Sequence, residues 1–231
     1  MKKFLCTNIN DFPFEIYKDK IHTDGIFVVE FKEKIDILSL VTILGIPHSH
    51  NGDGNYVWDI KPEHIESDKS HARSHTYEEF TFHTDCSFED PVPLYMALYV
   101  VQEDRQGGGI NKLVDFEKIL PALDAGIIET LKKDFPIKIP KEFFKDKELI
   151  HKPIIFDNNK IAYRRECIIE DICSPDQIQA LDSLDNAIHK SDALMLSLSQ
   201  NSVLFVDNTR YLHARTMIKD PERHLQRMRF F

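Results

Sequence analysis

The stretch Phe80-Thr81-Phe82-His83-Thr84-Asp85 lies near the middle of a chain of 231 residues and decides how the rest is interpreted. Its alternation predicts a β-strand. Residues two apart on a strand point to the same face, so His83 and Asp85 are predicted to present an imidazole and a carboxylate together at one strand end. Near the C-terminus, an apolar stretch at residues 203–206 and a polar turn precede Leu212-His213, which supplies a second imidazole.

A His-x-acid triplet by itself is weak evidence. With 11 histidines and 38 acidic residues, about two such triplets are expected by chance, and the chain has three. His22-Thr23-Asp24 precedes Gly25 and an apolar strand, so it is interpreted as a turn. His64-Ile65-Glu66 falls in a polar loop predicted over residues 61–78. The triplet at residues 83–85 is therefore the candidate site.

Two histidines and one carboxylate on one face of an octahedral metal leave three positions open for a cosubstrate and oxygen. This is the ligand set of non-haem Fe(II) oxygenases. We interpret His83, Asp85 and His213 as the three protein ligands of one iron. Three other histidines, His64, His71 and His75, lie in the polar loop, but their spacing matches no compact ligand set.

Composition excludes several classes of function. The net charge of −9 argues against nucleic acid or an anionic membrane as the main partner. The longest apolar runs are shorter than the roughly 20 residues that a membrane span needs. The N-terminus lacks the apolar region of a signal peptide, and the four cysteines are interpreted as free thiols of a reducing compartment. We expect a cytoplasmic protein with a single domain over residues 1–231.

Many short apolar segments are separated by turn signals, which predicts a mainly β fold with some helices, a two-sheet sandwich or jelly roll. Strands are predicted over residues 26–31, 56–60, 80–83, 94–101, 110–114, 194–198, 202–206 and 228–231, with a hairpin over 153–164. Helices are predicted over residues 33–44, 116–123, 127–132 and 176–190.

Three blocks carry a resemblance to a known family. The first is Glu79-Phe80-Thr81-Phe82-His83-Thr84-Asp85 followed by Pro91-Val92-Pro93 and an apolar strand; the second is Gly107-Gly108-Gly109-Ile110-Asn111-Lys112-Leu113-Val114-Asp115. The third is Asp207-Asn208-Thr209-Arg210-Tyr211-Leu212-His213-Ala214-Arg215-Thr216, with Arg223 and Arg227 behind it. In this order they resemble the taurine dioxygenase and clavaminate synthase-like branch of Fe(II)/2-oxoglutarate-dependent oxygenases, which implies a double-stranded β-helix.

The resemblance implies that His83, Asp85 and His213 bind Fe(II). It also implies that Arg227 pairs with the C5 carboxylate of 2-oxoglutarate, with assistance from Arg223 and Asn111. A planar guanidinium suits such a carboxylate because it donates two parallel hydrogen bonds. Strand alternation makes Arg229 a competing candidate for the role of Arg227.

The activity implied is hydroxylation of a small polar molecule, such as an amino acid or a biosynthetic intermediate. O2 and 2-oxoglutarate would be consumed, and succinate and CO2 released. The alternatives are desaturation or cyclisation by the same ligands, action on a protein side chain, and a non-catalytic jelly-roll metal-binding protein. The small-molecule substrate is not identified, because residues 117–190 match no part of the family, and the oligomeric state, a homodimer included, stays open.

Several residues near the ligands have two interpretations. Arg215 either faces the site or pairs with Asp207, and turn chemistry explains Asn208 without a function. The segment Tyr163-Arg164-Arg165 either presents a cation to an anionic substrate group or is an exposed hairpin face. Glu78 and Glu79 are weighed as contacts to a substrate amine, against a location outside the pocket.

Overall fold

The computed structural model describes residues 3–49, 54–63, 73–143 and 148–231. Strands in these residues are β1 (Phe4–Cys6), β2 (Ile26–Phe31), β3 (Pro47–His48), β4 (Trp58–Ile60), β5 (Phe80–His83), β6 (Tyr95–Gln102), β7 (Asn111–Asp115), β8 (Asp134–Lys138), β9 (Leu149–Pro153), β10 (Ile155–Phe156), β11 (Lys160–Ile161), β12 (Leu194–Leu196), β13 (Ser202–Asp207), β14 (Tyr211–Arg215) and β15 (His224–Phe230). The α-helices are α1 (Phe14–Thr23), α2 (Ile37–Leu44), α3 (Phe116–Ile119), α4 (Ala125–Leu131) and α5 (Pro175–Lys190). None of these helices combines the length and apolar character needed to cross a membrane.

Two sheets form the centre of the protein. The large sheet has the strand order β1-β2-β13-β6-β15-β3, with β4 also paired to β15, and the small sheet has the order β12-β7-β14-β5. An apolar layer lies between them, with Val28, Leu98 and Leu204 from the large sheet and Leu113 from the small sheet. The sheets therefore pack face to face, and side chains on their inner faces can meet.

The sequence of the large sheet explains why it buries both faces. In β13, Leu204 and Val206 point toward the small sheet, while Val203 and Phe205 join the apolar layer on the other side. This alternation follows from the two-residue period of a strand. In β15 the inward positions carry Leu225 and then two arginines, so charge replaces apolar packing at one end of the space between the sheets.

Helices cover the outer faces. α1 and α2 bury Tyr17, Ile21, Leu40 and other apolar residues against the large sheet. The segment between β7 and β12 supplies α3, α4, α5 and the pairs β8–β9 and β10–β11, and its apolar side chains pack with Leu212 of the small sheet. α5 begins with a capping box formed by Ser174 and Gln177, the start signal expected for an N-terminal Ser before Pro.

The prediction of a mainly β protein with helices is confirmed, with shifts of a few residues at most element ends. The turn predicted for His22-Thr23-Asp24 is wrong for His22 and Thr23, which close α1. Their helix forms because Tyr17 and Ile21, four residues apart, both pack onto the large sheet. The pair β8–β9 was not predicted, because Pro136 interrupts the strand pattern.

Candidate active site

Two neighbouring strands of the small sheet place the two histidines. β14 pairs with β5 in the register that sets His213 opposite His83, and it pairs with β7 on its other side. The two imidazole rings lie 4.3 Å apart between centroids. β5 ends at His83, and Asp85 lies in the turn that follows, where Cys86 has a φ of 53°. The turn, and not strand alternation alone, brings Asp85 beside the histidines.

The three side chains form a compact set of ligand atoms. One such atom from each of His83, Asp85 and His213 lies within 4.8 Å of the other two. Asp85 Oδ1 is 3.8 Å from His83 Nε2 and 3.6 Å from His213 Nε2. Both Nε2 atoms are buried without a hydrogen-bond partner in the described part of the chain. Buried polar atoms are nearly always satisfied, so this arrangement fits a bound metal ion.

His83 is in the chemical form that binds metals. Nδ1 of His83 lies 2.8 Å from the carbonyl oxygen of Thr81, so Nδ1 donates the hydrogen and Nε2 keeps its lone pair toward the site. Burial, with a smaller contribution from His213, holds the pKa of His83 well below its usual range. Phe80 stacks on His83 at 3.8 Å between ring centroids and covers one face of the imidazole.

Two arginines of β15 bind the carboxylate. Arg227 Nη1 donates to Asp85 Oδ1 at 3.1 Å, and Arg229 Nε donates to Oδ2 at 2.8 Å. All three side chains are buried. Burial alone would raise the pKa of Asp85, but Arg227 and Arg229 outweigh it and hold that pKa well below its usual range. Asp85 is therefore ionised, as a metal ligand must be.

Asn208 fixes the backbone of the same residue. Its Oδ1 accepts a hydrogen bond from the Asp85 N–H at 2.7 Å, and its Nδ2 donates to the carbonyl oxygens of Asp85 and Pro93 at 3.0 and 2.9 Å. Asn208 is fully buried. Turn chemistry alone therefore does not account for Asn208. The signal in the sequence that could have indicated its role is its position five residues before His213. Asp207 accepts from Thr209 in the turn and does not pair with Arg215.

A cavity between the sheets begins at the histidines and ends at two further arginines; we call it the inner cavity. Its polar lining includes His83, His213, Asn111, Arg215, Arg223 and Arg227. Asn111 and Arg215 are opposite each other on β7 and β14. Nη2 of Arg215 donates to the carbonyl oxygens of Thr76 and Glu78, both at 3.0 Å. The three residues Asn111, Arg215 and Arg223 thus converge on the end of the cavity remote from Asp85.

This end of the inner cavity is electrostatically unsatisfied. Nη1 of Arg215 and Nη1 of Arg223 are buried without a hydrogen-bond partner among the described residues. Burial, and then the charge of Arg215, lower the pKa of Arg223 to about 9, and burial lowers that of Arg215 to about 10. In the described part of the chain no carboxylate is hydrogen-bonded to either arginine, although Asp104 acts on both through its charge. Two buried cations in such a place are costly. Both features fit an anionic ligand.

A glycine allows Arg223 to enter the inner cavity. Gly109 has a φ of +62°, and a Cβ atom built on it would lie 2.6 Å from Arg223 Nε. Both the backbone conformation and the close approach therefore require glycine. The second of the three blocks, which begins with three glycines, thus has a structural role: it leaves room for the Arg223 side chain.

A second cavity adjoins Asp85; we call it the arginine cavity. Its lining includes Arg73, Phe80, Asp85, Arg164, Arg227 and Arg229. Of the two interpretations of residues 163–165, the exposed hairpin face is wrong for Tyr163, which is buried, and for Arg164, whose side chain is 17% exposed and lines this cavity. Its neighbours have other partners: Tyr163 donates to Asp185 at 2.6 Å, and Arg165 binds three carboxylates, those of Glu170, Asp182 and Asp185.

The remaining candidates do not contact the site. Glu78 and Glu79 are exposed, and Glu79 pairs with Lys112. His75 accepts a hydrogen bond from Trp58 Nε1 at 2.9 Å, and its Nδ1 lies 3.1 Å from the carbonyl oxygen of Lys61. His64 and His71 lie outside the described residues.

Comparison with known proteins matches residues 28–229 to the family model described as taurine catabolism dioxygenase TauD, TfdA family. No curated protein matches the chain in sequence. Asparagine oxygenase in complex with Fe(II), (2S,3S)-3-hydroxyasparagine and succinate superposes with a TM-score of 0.79 at 17% identity, over 96% of this chain and 81% of that one.

The non-haem iron oxygenase OrfP gives a similar result. Its complex with Fe and α-ketoglutaric acid has a TM-score of 0.70 at 18% identity and covers 96% of this chain and 79% of that one. Its complex with Fe, succinate and (3S)-hydroxy-L-arginine has a TM-score of 0.71 at 19% identity and covers 94% and 79%. These likenesses show a shared fold.

Proposed function

Because the chain belongs to the taurine catabolism dioxygenase TauD, TfdA family, we propose that it is an Fe(II)- and 2-oxoglutarate-dependent dioxygenase that hydroxylates a small polar molecule such as an amino acid. The family membership confirms the resemblance seen in the sequence. The observation that carries the proposal is the set of three ligand atoms from His83, Asp85 and His213, within 4.8 Å of one another and buried. The similar structures contain Fe with succinate or α-ketoglutaric acid, and two of them contain a hydroxylated amino acid.

In this proposal His83 and His213 bind Fe(II) through Nε2, and Asp85 binds it through Oδ1, the oxygen nearer both histidines. When bound, the iron and 2-oxoglutarate supply the oxidising chemistry, in which O2 is consumed, succinate and CO2 are released and a substrate carbon is hydroxylated. Arg229 holds the other oxygen of Asp85, which favours binding through one oxygen. Asn208 keeps the Asp85 backbone in place, and Phe80 keeps water from one face of His83.

We place the C5 carboxylate of 2-oxoglutarate at the far end of the inner cavity. Among the residues that the structure describes, Arg223 Nη1 has no hydrogen-bond partner there, and Asn111 and Arg215 lie beside it. The family resemblance assigned the main role to Arg227, which lines the same cavity but donates to Asp85. We therefore propose Arg223 as the principal anchor, with Asn111 and Arg215 assisting and Arg227 at the metal end.

The wider architecture is proposed on the same basis. The two facing sheets form a double-stranded β-helix, or jelly roll, and residues 1–231 form one domain. The family model spans most of the chain, and an apolar layer joins the sheets. The four cysteines are free thiols, which supports a reducing compartment such as the cytoplasm.

The test is the anaerobic addition of Fe(II) and 2-oxoglutarate to metal-free protein. Chelation of a keto acid to protein-bound iron gives a weak visible charge-transfer band, which is expected for the wild type. The band should be absent in His213→Ala, because one ligand is lost. His22→Ala is the matched control, since exposed His22 stands in the same His-Thr-Asp tripeptide as His83.

A folded protein that binds metal but gives no band would favour the rival, a non-catalytic metal-binding protein of the same fold. If the band forms, the mass of the product separates the oxidative outcomes. Hydroxylation adds one oxygen, whereas desaturation or cyclisation removes two hydrogens.

A further inference from the structure

We infer that the hydroxyl group of Ser74 donates a hydrogen bond to 2-oxoglutarate, at an oxygen of its C1 carboxylate. The inference rests on the proposed function, because the inner cavity is where the cosubstrate is proposed to bind, and it adds a binding residue to that cavity. Ser74 lies nine residues before His83, outside the three blocks that carry the family resemblance.

Ser74 is buried, and its hydroxyl group is unpaired. The residue is 5% exposed. Its Oγ atom has no hydrogen-bond partner among the residues that the structure describes. Burial of a polar group without a partner is costly, and most buried polar atoms in folded proteins are paired. A ligand that presents an oxygen atom to Ser74 would remove this cost.

The backbone around Ser74 is held by other groups. Thr76 closes the 3₁₀ turn that contains Ser74, since its N–H and its hydroxyl donate to the carbonyl oxygen of Arg73 at 3.2 and 3.0 Å. The carbonyl oxygen of His75 accepts a hydrogen bond from the Glu63 N–H at 2.8 Å. These bonds do not use Ser74 Oγ, so the local fold does not account for a hydroxyl group at this position.

Ser74 lies at the metal end of the inner cavity. Three residues line both this cavity and the arginine cavity, namely Ser74, Phe80 and Arg227. The other two mark the metal end, because Phe80 stacks on His83 and Arg227 donates to Asp85. A 2-oxo acid chelates a metal through its oxo oxygen and its C1 carboxylate. The part of the cosubstrate that Ser74 can reach is therefore this end.

A second unpaired group lies at the same end of the cavity. Nε of Arg227 is buried and has no hydrogen-bond partner in the described part of the chain, although Nη1 of the same side chain donates to Asp85. A guanidinium N–H can only donate, so a ligand that satisfies it must present an acceptor. A carboxylate accepts from a guanidinium and from a hydroxyl group alike. The C1 carboxylate of 2-oxoglutarate is such a group.

Another serine shows that burial alone does not assign a ligand. Ser87 is 2% exposed, and its Oγ atom is also unpaired among the described residues. Ser87 lines neither the inner cavity nor the arginine cavity, whereas Ser74 lines both. The position of Ser74, together with its unpaired hydroxyl group, therefore carries the inference, and Ser87 provides the matched control.

The test compares wild type, Ser74→Ala and Ser87→Ala, first by thermal unfolding of the metal-free proteins. Because each substitution removes an unpaired buried hydroxyl group, neither should lower Tm. Fe(II) and 2-oxoglutarate are then added without O2, and the visible band is titrated. Ser74→Ala should raise the Kd for 2-oxoglutarate about tenfold or more, as the loss of a hydrogen bond to a charged group predicts. Ser87→Ala should leave this Kd unchanged.

The position of the band reports which end of the cosubstrate is contacted. Ser74→Ala should shift the wavelength of the band maximum, because a hydrogen bond to the chelating end changes the energy of the orbital that accepts the electron. Arg223→Lys alters the proposed contact with the C5 carboxylate, so it should weaken binding of 2-oxoglutarate without shifting the band.

Four results would overturn the inference. The first is a fall in Tm for metal-free Ser74→Ala but not for Ser87→Ala, which would indicate a structural partner for the hydroxyl group. The second and third are an unchanged Kd for 2-oxoglutarate in Ser74→Ala and an equal rise in both serine variants. The fourth is a raised Kd without a band shift, which would place the contact away from the C1 carboxylate. Absence of the band in the wild type would instead refute the proposed function.

Discussion

Replacing Arg229 by methionine should destabilise the metal-free protein strongly. Arg229 Nε binds Asp85 Oδ2 at 2.8 Å, and both side chains are less than 5% exposed. Removing one partner of a buried ion pair costs about 3–5 kcal/mol. Arg227 stays on the other oxygen at 3.1 Å, so we expect the lower end, about 3 kcal/mol. For a domain of this size that corresponds to a fall in Tm of about 6–12 °C.

A bound divalent cation should reduce this loss, because it supplies positive charge to the same carboxylate. Thermal unfolding of wild type and Arg229→Met would be followed by circular dichroism, without metal and with saturating Co(II). By thermodynamic linkage, Co(II) should bind the variant at least as tightly as the wild type.

Arg105→Met is the matched control for the loss of an Arg–Asp pair. Arg105 Nε also lies 2.8 Å from a carboxylate oxygen, that of Asp220, but the Arg105 side chain is 57% exposed. The buried Asp220 carboxylate keeps hydrogen bonds from the N–H groups of residue 105 and Glu222 when the Arg105 side chain is replaced. The loss of the Arg105 side chain should cost far less than the loss of Arg229, because ion pairs of exposed side chains contribute little to stability. An equal fall in Tm for the two variants, or a loss in Arg229→Met that Co(II) does not reduce, would refute the reasoning.

Three further predictions concern the same site. Asn208→Ala leaves the buried Asp85 N–H unpaired, so it should lower the free energy of unfolding by about 2 kcal/mol in urea titrations and weaken Co(II) binding; unchanged metal affinity would contradict the positioning role. Arg223→Lys should raise the Kd for 2-oxoglutarate, measured from the anaerobic band, by about tenfold or more, and a larger effect from Arg227→Lys would restore the assignment made from the sequence. The pKa of Asp85 is lower in the folded protein than in the unfolded chain, so its ionised form stabilises the fold at pH values above the unfolded-state pKa of about 3.9. This stabilisation is lost as the pH falls toward the pKa of the folded state. The stability difference between the metal-free wild type and Asp85→Asn should therefore narrow below about pH 4, and a difference constant from pH 6 to pH 3 would contradict it.

The sequence predicted the general fold because the strand period is a local signal, and it indicated the ligands because three motifs in a fixed order resemble a known family. That order selected His83, Asp85 and His213, and the structure places one ligand atom of each within 4.8 Å of the other two, although the turn after β5 rather than strand alternation positions Asp85. The same reasoning predicted α5, whose capping box joins Ser174 and Gln177, three residues apart in the chain. The strand period and the capping box depend on residues that are close together in the chain, so both can be recognised in a single sequence.

Which arginine binds which group could not be predicted from the sequence in the same way. Strand alternation puts Arg227 and Arg229 on one face, but only the packing of β15 against the turn at Asp85 shows that both bind that carboxylate. The partners of Asn208 are 115 and 123 residues away in the chain. Arg164 reaches the site through a contact between Thr84 and Tyr163 for which no motif exists. Each depends on long-range packing.

The pairing of β14 with β5 has a consequence for assembly of the protein. His213 stands opposite His83 in a single register, and a slip of one residue would turn His213 to the other face of the small sheet. If the two histidines bind iron as proposed, metal affinity is available only to the correctly paired sheet, and the ion would act as a selective ligand of the native pairing. Iron supply during synthesis would thus favour correct folding as well as activity.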